Sequence, residues 1–253
     1  MLEFSPTTAT MLGDHRFDDR IEDISAEAEQ RMVQTWKQLR HEVEAVGRED
    51  DLRPADRLTR TLLLADLDRA VTELEWRPAE MSAGHIDGVH VRLLTATSQI
   101  TAPQPSDVTA LSRRYSKIGD LLDSAVHRFR DGLAAGRTPV QVTIERSINQ
   151  LDSYLATPLS TDAFTTVAGP AWHQQFSEIT QEVIRPAFQR YRDLLATELL
   201  PNRQTRGESR LVLARRRRSR NLCTPDSLPY HHARPRPRRN PPTGADRTRP
   251  PPR

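Results

Sequence analysis

The pair His41-Glu42 is the first place in the sequence where residue types match part of a zinc-dependent hydrolytic site. Zinc peptidases of this kind place two histidines four residues apart on one helical face, with a glutamate between them as general base. Here the position four residues after His41 is Ala45, so the second ligand is missing. The sequence therefore predicts an ordinary exposed pair on a helix.

The other histidines and the cysteine do not form a better ligand set. His85 and His90 are five residues apart in a stretch that we predict as a loop, and this spacing is poor for metal ligands. His231 and His232 follow Cys223 in the tail, where they would bind metal only adventitiously. We expect no catalytic, cofactor-binding or metal-ligating residue in this chain.

Near the N-terminus the acidic residues are clustered. They would form either an acidic patch or a solvated N-terminal segment, and we favour the solvated segment because charge runs are usually hydrated. The sequence also lacks a glycine-rich phosphate loop and the Gly-x-Ser-x-Gly elbow of serine hydrolases. The clustered residues are Asp14, Asp18, Asp19, Glu22 and Asp23.

Apolar residues at helical spacing predict two long helices in the first third of the chain. One helix should end at Gly47, and the next should have Pro54 in its first turn. The first apolar face contains Met32, Trp36, Leu39, Val43 and Val46. The second contains Leu58, Leu62, Leu63, Leu67, Ala70, Val71 and Leu74.

The middle of the chain predicts a long connection over residues 77–105, with a short helix around 88–100, followed by one helix that Gly136 ends. Thr138, Pro139 and Gln141 then predict a capped start for a helix that runs to Leu155. The helix over 106–136 should have an apolar face of Val108, Leu111, Tyr115, Ile118, Leu122, Val126, Phe129 and Leu133.

A last helix should begin near Pro170, and Pro186 should kink or break it because proline removes one backbone hydrogen bond. No stretch alternates as a strand would. Five long amphipathic helices predict an all-α fold, an incomplete helical bundle. After Pro201 the periodicity disappears, and we expect a disordered Arg/Pro-rich tail. The predicted domains are thus residues 1–201 and 202–253.

Charge divides the 253-residue chain at the same point. Residues 1–201 carry 22 basic and 31 acidic residues, a net −9, whereas residues 202–253 carry 15 arginines and 3 acids, a net +12. The single cysteine excludes an internal disulfide, and no signal peptide or transmembrane run is present, so we expect a cytoplasmic protein. Such a tail could bind nucleic acid through counterion release, if it is genuine.

Three stretches resemble a known family in their order along the chain: "ATMLGDHRFDDRIEDIS", "GLAAGRTPVQVTIERSINQLDSYL" and "VIRPAFQRYRDLLATELLP". They are similar to the N-terminal half of the domain-of-unknown-function 885 family, which is bacterial and largely helical. The resemblance covers residues from about 8 to 201. Its most specific parts are Gly13-Asp14-His15-Arg16 and Gly136-Arg137-Thr138-Pro139.

The resemblance implies a zinc-metallopeptidase-like protein whose zinc motif, a histidine-glutamate pair followed by a second histidine, lies in the C-terminal half. We find no copy of that motif here, so no zinc ligand or general base is carried over to any position. The matching residues are expected to be scaffold. Zinc is expected only for a full-length family member.

The family continues as a folded chain where this sequence turns into arginine and proline. If the codons are read one base later, the frame from Asn202 permits "IARPEESPGLSWL", and the frame over 228–245 permits "YHTTTLDLDPDEIHQLGL". Both resemble the expected continuation. A shifted GC-rich gene would also be rich in arginine and proline codons, and the chain has 2 lysines against 35 arginines. We therefore predict a frameshift near codon 202.

The first functional interpretation is a truncated N-terminal portion of a zinc-metallopeptidase-like protein, without peptidase activity of its own. The alternative is a helical interaction module whose basic tail binds nucleic acid or acidic partners. A third is a complete enzyme with a site that the sequence does not reveal. Substrate, oligomeric state and pathway are not predicted.

Overall fold

The computed structural model describes residues 2–47, 52–102 and 104–202. The described residues form helices and no strand, which confirms the all-α fold class. The α-helices are α1 (Pro6–Met11), α2 (Ala26–Ala45), α3 (Pro54–Glu75), α4 (Val89–Gln99), α5 (Pro105–Tyr115), α6 (Ile118–Ala134), α7 (Gln141–Leu155), α8 (Ala163–Thr166), α9 (His173–Ile179) and α10 (Arg185–Leu194). The tail predicted over 202–253 and its division from residues 1–201 lie, apart from Asn202, outside these ranges.

Helices α2 and α3 form where the apolar spacing predicts two helices, and they pair with each other as a hairpin. Ser25 caps α2 by accepting a hydrogen bond from the Ala28 amide, and Gly47 follows the helix with a φ of 60°, where a side chain would be strained. Pro54 occupies the first turn of α3, as predicted. The two helices pack chiefly against each other, and Arg40 of α2 pairs with Asp68 of α3 at 2.6 Å.

The main core lies among α4 to α10. Helix α6 alone buries nine residues, and aromatic side chains from four segments meet beside it. Tyr154 lies 4.7 Å from Phe188 between ring centroids, and Phe164 contacts both Phe188 and Tyr115. The predicted short helix around residues 88–100 is confirmed as α4, which is part of this core.

The prediction of one continuous helix over 106–136 is wrong, because the chain turns between α5 and α6 at Ser116 and Lys117. The Ser116 hydroxyl donates to the Arg113 carbonyl, and the Lys117 amide donates to the Arg114 carbonyl at 3.0 Å, which tightens the turn. Lys117 Nζ also donates to the carbonyl of Asp19. The apolar spacing continues across this turn, so periodicity alone does not reveal it.

The predicted stop at Gly136 is confirmed. Gly136 has a φ of 69°, its amide donates to the Leu133 carbonyl, and the Arg137 amide donates to the Gly132 carbonyl, which is the Schellman arrangement. The capped start at Thr138 is wrong, because α7 begins at Gln141 and Val140 precedes it without a side-chain cap. The predicted end at Leu155 is confirmed.

Pro186 does not break the last helix. The segment Thr180–Ile184 before it is π-helical, and the Arg185 amide donates to the Thr180 carbonyl five residues back. This wider turn accommodates the proline near the start of α10. The predicted interruption is therefore a π-helical segment within one helical path, which continues through a second π-helical segment, Leu195–Leu199.

Candidate functional site

The N-terminal segment is anchored to the core by one buried arginine of α5. Arg114 is 2% exposed, and its guanidinium donates to the carbonyls of Arg20 at 2.7 Å and Phe17 at 2.9 Å and to the Thr10 hydroxyl at 2.6 Å. Asp18 lies 3.8 Å away as a partial counterion, and burial lowers the pKa of Arg114. The conformation of residues 6–20 thus depends on a cation that the segment itself does not supply.

The predicted solvated segment is wrong for the half-buried carboxylates at the N-terminus. Asp14 pairs with Arg16, whose hydrogen bond lowers the pKa of Asp14 to about 2. Asp18 accepts from Thr10 and Glu22 accepts twice from Thr7. Asp23 remains exposed, and Asp19 contributes its backbone carbonyl to Lys117. These acids therefore fix the local fold through their hydrogen bonds, and no three of them lie close enough to hold a metal ion.

A second buried charge cluster lies around Glu80, at the connection between the α2–α3 hairpin and the core. Glu80 is fully buried and faces Arg137, Arg77 at 3.2 Å and Arg128 of α6 at 3.6 Å. Arg128, itself 2% exposed, also pairs with Glu29 of α2. Burial raises the pKa of Glu29. The cluster joins three separate segments through charge-assisted hydrogen bonds.

Arg114, Arg128 and Glu80 are structurally important residues that were not among those predicted from the sequence. A signal exists for the two arginines, because each occupies a position on the apolar face of its helix: Arg114 lies three residues after Leu111 and Arg128 three after Ala125. A charged residue in an apolar stripe predicts a buried ion pair. For Glu80, in a short turn, no comparable sequence signal exists.

His90 and His85 are brought together by Gln150 of α7. The side-chain amide nitrogen of Gln150 donates to the His85 carbonyl. The side-chain oxygen of Gln150 then accepts a hydrogen bond from His90 Nε2 at 3.2 Å. Burial lowers the pKa of His90 to about 4, so the ring is neutral at pH 7. His90 lies within the predicted short helix, fully buried in α4, and contacts Tyr191, whereas His85 lies before that helix.

A groove of about 400 Å³ runs beside His90 between α4 and α7. Its wall combines apolar side chains of α4 with exposed amides and a hydroxyl of α7, and no carboxylate or thiol lines it. The groove can thus accept apolar surface and hydrogen-bond neutral polar groups. The residues around it are His90, Val91, Leu94, Thr95, Asn149, Gln150 and Ser153.

The pair His41-Glu42 is exposed on α2, and Glu42 accepts a hydrogen bond from Gln38. Within residues 2–47, 52–102 and 104–202, no three His, Cys, Asp or Glu side chains lie close enough to hold a metal ion. The zinc that the resemblance implies therefore does not fit these residues. Cys223, His231 and His232 lie outside the described part of the chain.

No helix in the described ranges is long and apolar enough to cross a membrane. None of the curated proteins matches the chain. A solved structure, the "putative lipoprotein from Colwellia psychrerythraea", is similar over 80% of this chain with a TM-score of 0.72 and 13% sequence identity. The TM-score shows a shared fold, and at such a low identity the similarity shows nothing beyond the fold. The chain spans only 40% of that protein's length.

The profile of one bacterial family extends over nearly all of the helices that surround the Arg114 and Glu80 clusters. It matches residues 6–228 and carries the description "Bacterial protein of unknown function (DUF885)". The match includes both motifs singled out in the sequence, which begin at Gly13 and Gly136. The chain belongs to this family of bacterial proteins of unknown function.

Proposed function

We propose that this chain is the N-terminal portion of a longer, zinc-metallopeptidase-like helical protein, and that it supplies scaffold without peptidase activity of its own. One observation carries the proposal: the helices match a solved structure over 80% of this chain but only 40% of that structure. In this proposal the remaining part of a full-length protein provides the zinc ligands and the general base.

The contacts of the two family motifs support a scaffold role. Asp14 and Arg16 pair with each other in the segment that Arg114 holds, and Arg137 neutralises the buried Glu80. Asp14, Arg16 and Arg137 each make an ion pair within the fold, which supports a structural role for these side chains. Removal of Arg137 would leave the carboxylate of the buried Glu80 with less compensating charge and should strongly destabilise the fold, which supports a structural role for the second motif.

We further propose that the reading frame shifts near codon 202. The support is the change from a net −9 to a net +12 at this point and the family-like peptide that the shifted frame permits. The family match runs to residue 228, beyond the proposed break. The position of the break therefore rests on the charge change and on the codon reading alone.

The activity claim can be tested with the purified full chain. We expect no zinc-dependent cleavage of unfolded protein substrates or fluorogenic peptides, and no stoichiometric zinc by metal analysis, with or without added zinc. The matched comparison is the protein expressed from the gene with its frame restored, which should bind zinc and lose its activity to a chelator. Chelator-sensitive hydrolysis by the present chain would overturn the proposal.

The second candidate is a helical interaction module with a basic tail, and the 15 arginines in residues 202–253 favour it. Arginine–phosphate contacts release counterions, so binding should weaken steeply with salt. Deletion of residues 202–253 should abolish binding to a DNA or RNA duplex. Salt-dependent binding that persists after this deletion would contradict the module.

The proposal also includes the cellular location of the protein and its zinc requirement. We propose a cytoplasmic location, since the single cysteine excludes an internal disulfide, as is usual for proteins of a reducing compartment. Cell fractionation followed by immunodetection tests it, and recovery in the membrane fraction would contradict it. We assign zinc to the full-length protein only, because the described residues bring no three metal ligands together.

A further inference from the structure

We propose that a second cavity, which we name the α1–α4 pocket, binds a small organic anion: a monocarboxylate with a short apolar chain. The pocket lies between α1, the segment that follows α1 and the helix α4, and it has a volume of about 330 Å³. The inference does not depend on the proposed function, because it concerns residues of the present chain alone.

The walls of the α1–α4 pocket are mostly apolar. Val89 and Leu93 of α4 and Leu121 of α6 line it and are 5%, 7% and 4% exposed, while Met11 and Ile86 line it and are 46% and 76% exposed. Cavities of this size with apolar walls and a few polar groups are the usual sites for small molecules. Since one water molecule takes up about 30 Å³, the volume fits a ligand of about ten non-hydrogen atoms.

Arg92 of α4 is the only cation among the described residues that line the pocket. Its side chain is exposed and makes no hydrogen bond or ion pair within the described part of the chain. In contrast, Arg190 and Arg192 of α10 are held by Asp123 and Asp152 at 2.7 and 2.8 Å. A guanidinium that lacks a carboxylate partner in the protein can bind the carboxylate of a ligand through two parallel hydrogen bonds.

Two threonine hydroxyls in the wall add hydrogen-bond donors. The Thr8 hydroxyl accepts from Ser5 at 2.8 Å, so its own hydrogen is left for another acceptor. The Thr95 hydroxyl makes no hydrogen bond to any residue that the structure describes. The two oxygens of a carboxylate can accept about four hydrogen bonds, so a ligand could use the guanidinium and a hydroxyl together.

Glu22 also lines the pocket, and its carboxylate has other partners than Arg92. One of its oxygens accepts from the Thr7 amide at 2.9 Å and the other from the Thr7 hydroxyl at 2.8 Å. Its charge also interacts with the buried Arg114, where it acts against the lowering of the pKa of Arg114 by burial. Glu22 and Arg92 form no ion pair, so the positive charge of Arg92 remains for a ligand.

Charge separates this pocket from the groove between α4 and α7. The two cavities share Val91 and Thr95, but the described residues around the α4–α7 groove include no arginine or lysine. His90 in that groove is neutral at pH 7, because burial lowers its pKa to about 4. An anion is therefore expected in the α1–α4 pocket and not in the α4–α7 groove.

NMR of the full chain labelled with ¹³C-methyl methionine tests the inference, because Met11 lines the pocket whereas Met32 and Met81 do not. The probes are octanoate and its neutral analogue octanamide. We expect octanoate to shift the Met11 resonance with a Kd on the order of 1 mM. Octanamide should bind at least about tenfold more weakly, because it lacks the charge. The Met32 and Met81 resonances should stay in place.

Two charge-matched variants locate the anion. Arg92→Gln should weaken octanoate binding by about tenfold and leave octanamide binding unchanged. Arg113→Gln removes an exposed arginine of α5 that does not line the pocket, and it should leave both affinities unchanged. Both positions are exposed, so both variants should fold, and unchanged Met32 and Met81 resonances verify this.

Three results would overturn the inference. Equal affinities for octanoate and octanamide, or an unchanged octanoate affinity in Arg92→Gln, would mean that the charge of Arg92 recognises no anion here. Shifts of Met11, Met32 and Met81 together would mean that octanoate partitions onto apolar surface without a specific site. The absence of any Met11 shift at octanoate concentrations well above the expected Kd would mean that the pocket does not bind such a ligand.

Discussion

The α2–α3 hairpin and the α4–α10 core have the same amphipathic pattern but differ in how much of it is buried. Helix α3 buries only Leu67 in its 22 residues, whereas α6 buries nine of its 17. Both helices have apolar residues at helical spacing. Apolar periodicity in the sequence therefore predicts a helix and its apolar face. It does not predict how much of that face is buried, because burial depends on where the rest of the chain packs.

The hairpin is held to the core by few specific contacts rather than by broad apolar burial. Trp36 packs edge-on against Phe4 with ring centroids 5.3 Å apart, and Glu29 pairs with Arg128. Regions with little buried apolar surface open locally at lower free energy than the core. We therefore expect the two regions to respond differently to equivalent substitutions.

The largest expected difference concerns apolar truncation. Phe188→Ala in the core should lower the free energy of unfolding by about 3–5 kcal/mol, because the side chain is fully buried among aromatic rings. Leu58→Ala on the hairpin should change it by less than about 0.5 kcal/mol, since Leu58 is 61% exposed. Urea unfolding followed by circular dichroism measures both. Similar losses would show that the hairpin face is covered in solution.

The next effect concerns the ion pair that joins the two regions. Glu29→Gln leaves Arg128 buried with Glu80 as its remaining counterion, so we expect a loss of about 2–3 kcal/mol. The loss should appear as faster amide hydrogen exchange in α2 and α3 with little change in α6. Glu42→Gln, on the exposed side of α2, is the control and should leave exchange unchanged. Uniformly faster exchange would mean that the regions unfold together.

One pH effect is expected in the core, at His90. The folded protein holds the pKa of His90 at about 4, below the ordinary value of 6.5, so the unfolded chain binds more protons between these values. Stability should consequently decrease as the pH falls through this window, by about 2 kcal/mol from pH 6.5 to 5 for this residue. His90→Gln should flatten that slope in urea titrations. An unchanged slope would contradict the burial of a neutral ring.

The smallest effect compares two glycines after helix ends. Gly47 and Gly136 both have a positive φ, near 60° and 69°, and an added Cβ would meet no close atom at Gly136 and only ordinary contacts at Gly47. Alanine should therefore cost about 1 kcal/mol of backbone strain at either site. For Gly136→Ala the loss should appear in global unfolding, and for Gly47→Ala in hydrogen exchange of the hairpin. A global loss at both sites would mean that the hairpin is part of one cooperative unit.

Much of the fold could be predicted because it depends on local patterns. Proline at the start of α3, glycine after α2 and α6, and apolar spacing within each helix all act on neighbouring residues. The break between α5 and α6 could not be predicted in this way. It depends on Arg114 and Lys117 reaching carbonyls of the N-terminal segment, almost one hundred residues away in sequence.

The buried polar clusters also depend on contacts between residues that are distant in the sequence, so local patterns do not predict them. Glu80, Arg128 and Glu29 are far apart in the sequence, and each residue type is usually exposed. Only the packed helices place them together. His90 illustrates the reverse case, because a residue considered as a poor metal ligand proves to be a buried, neutral side chain of the core that hydrogen-bonds Gln150.

The most direct measurement is resequencing of the gene from codon 190 to several hundred bases past the present stop. The account predicts one extra or missing base near codon 202, with an open frame that continues to a histidine-glutamate pair followed by a second histidine. If the present frame is confirmed and mass spectrometry detects the tail in the cellular protein, the account is contradicted. The basic tail would then be the first part of the chain to test for function.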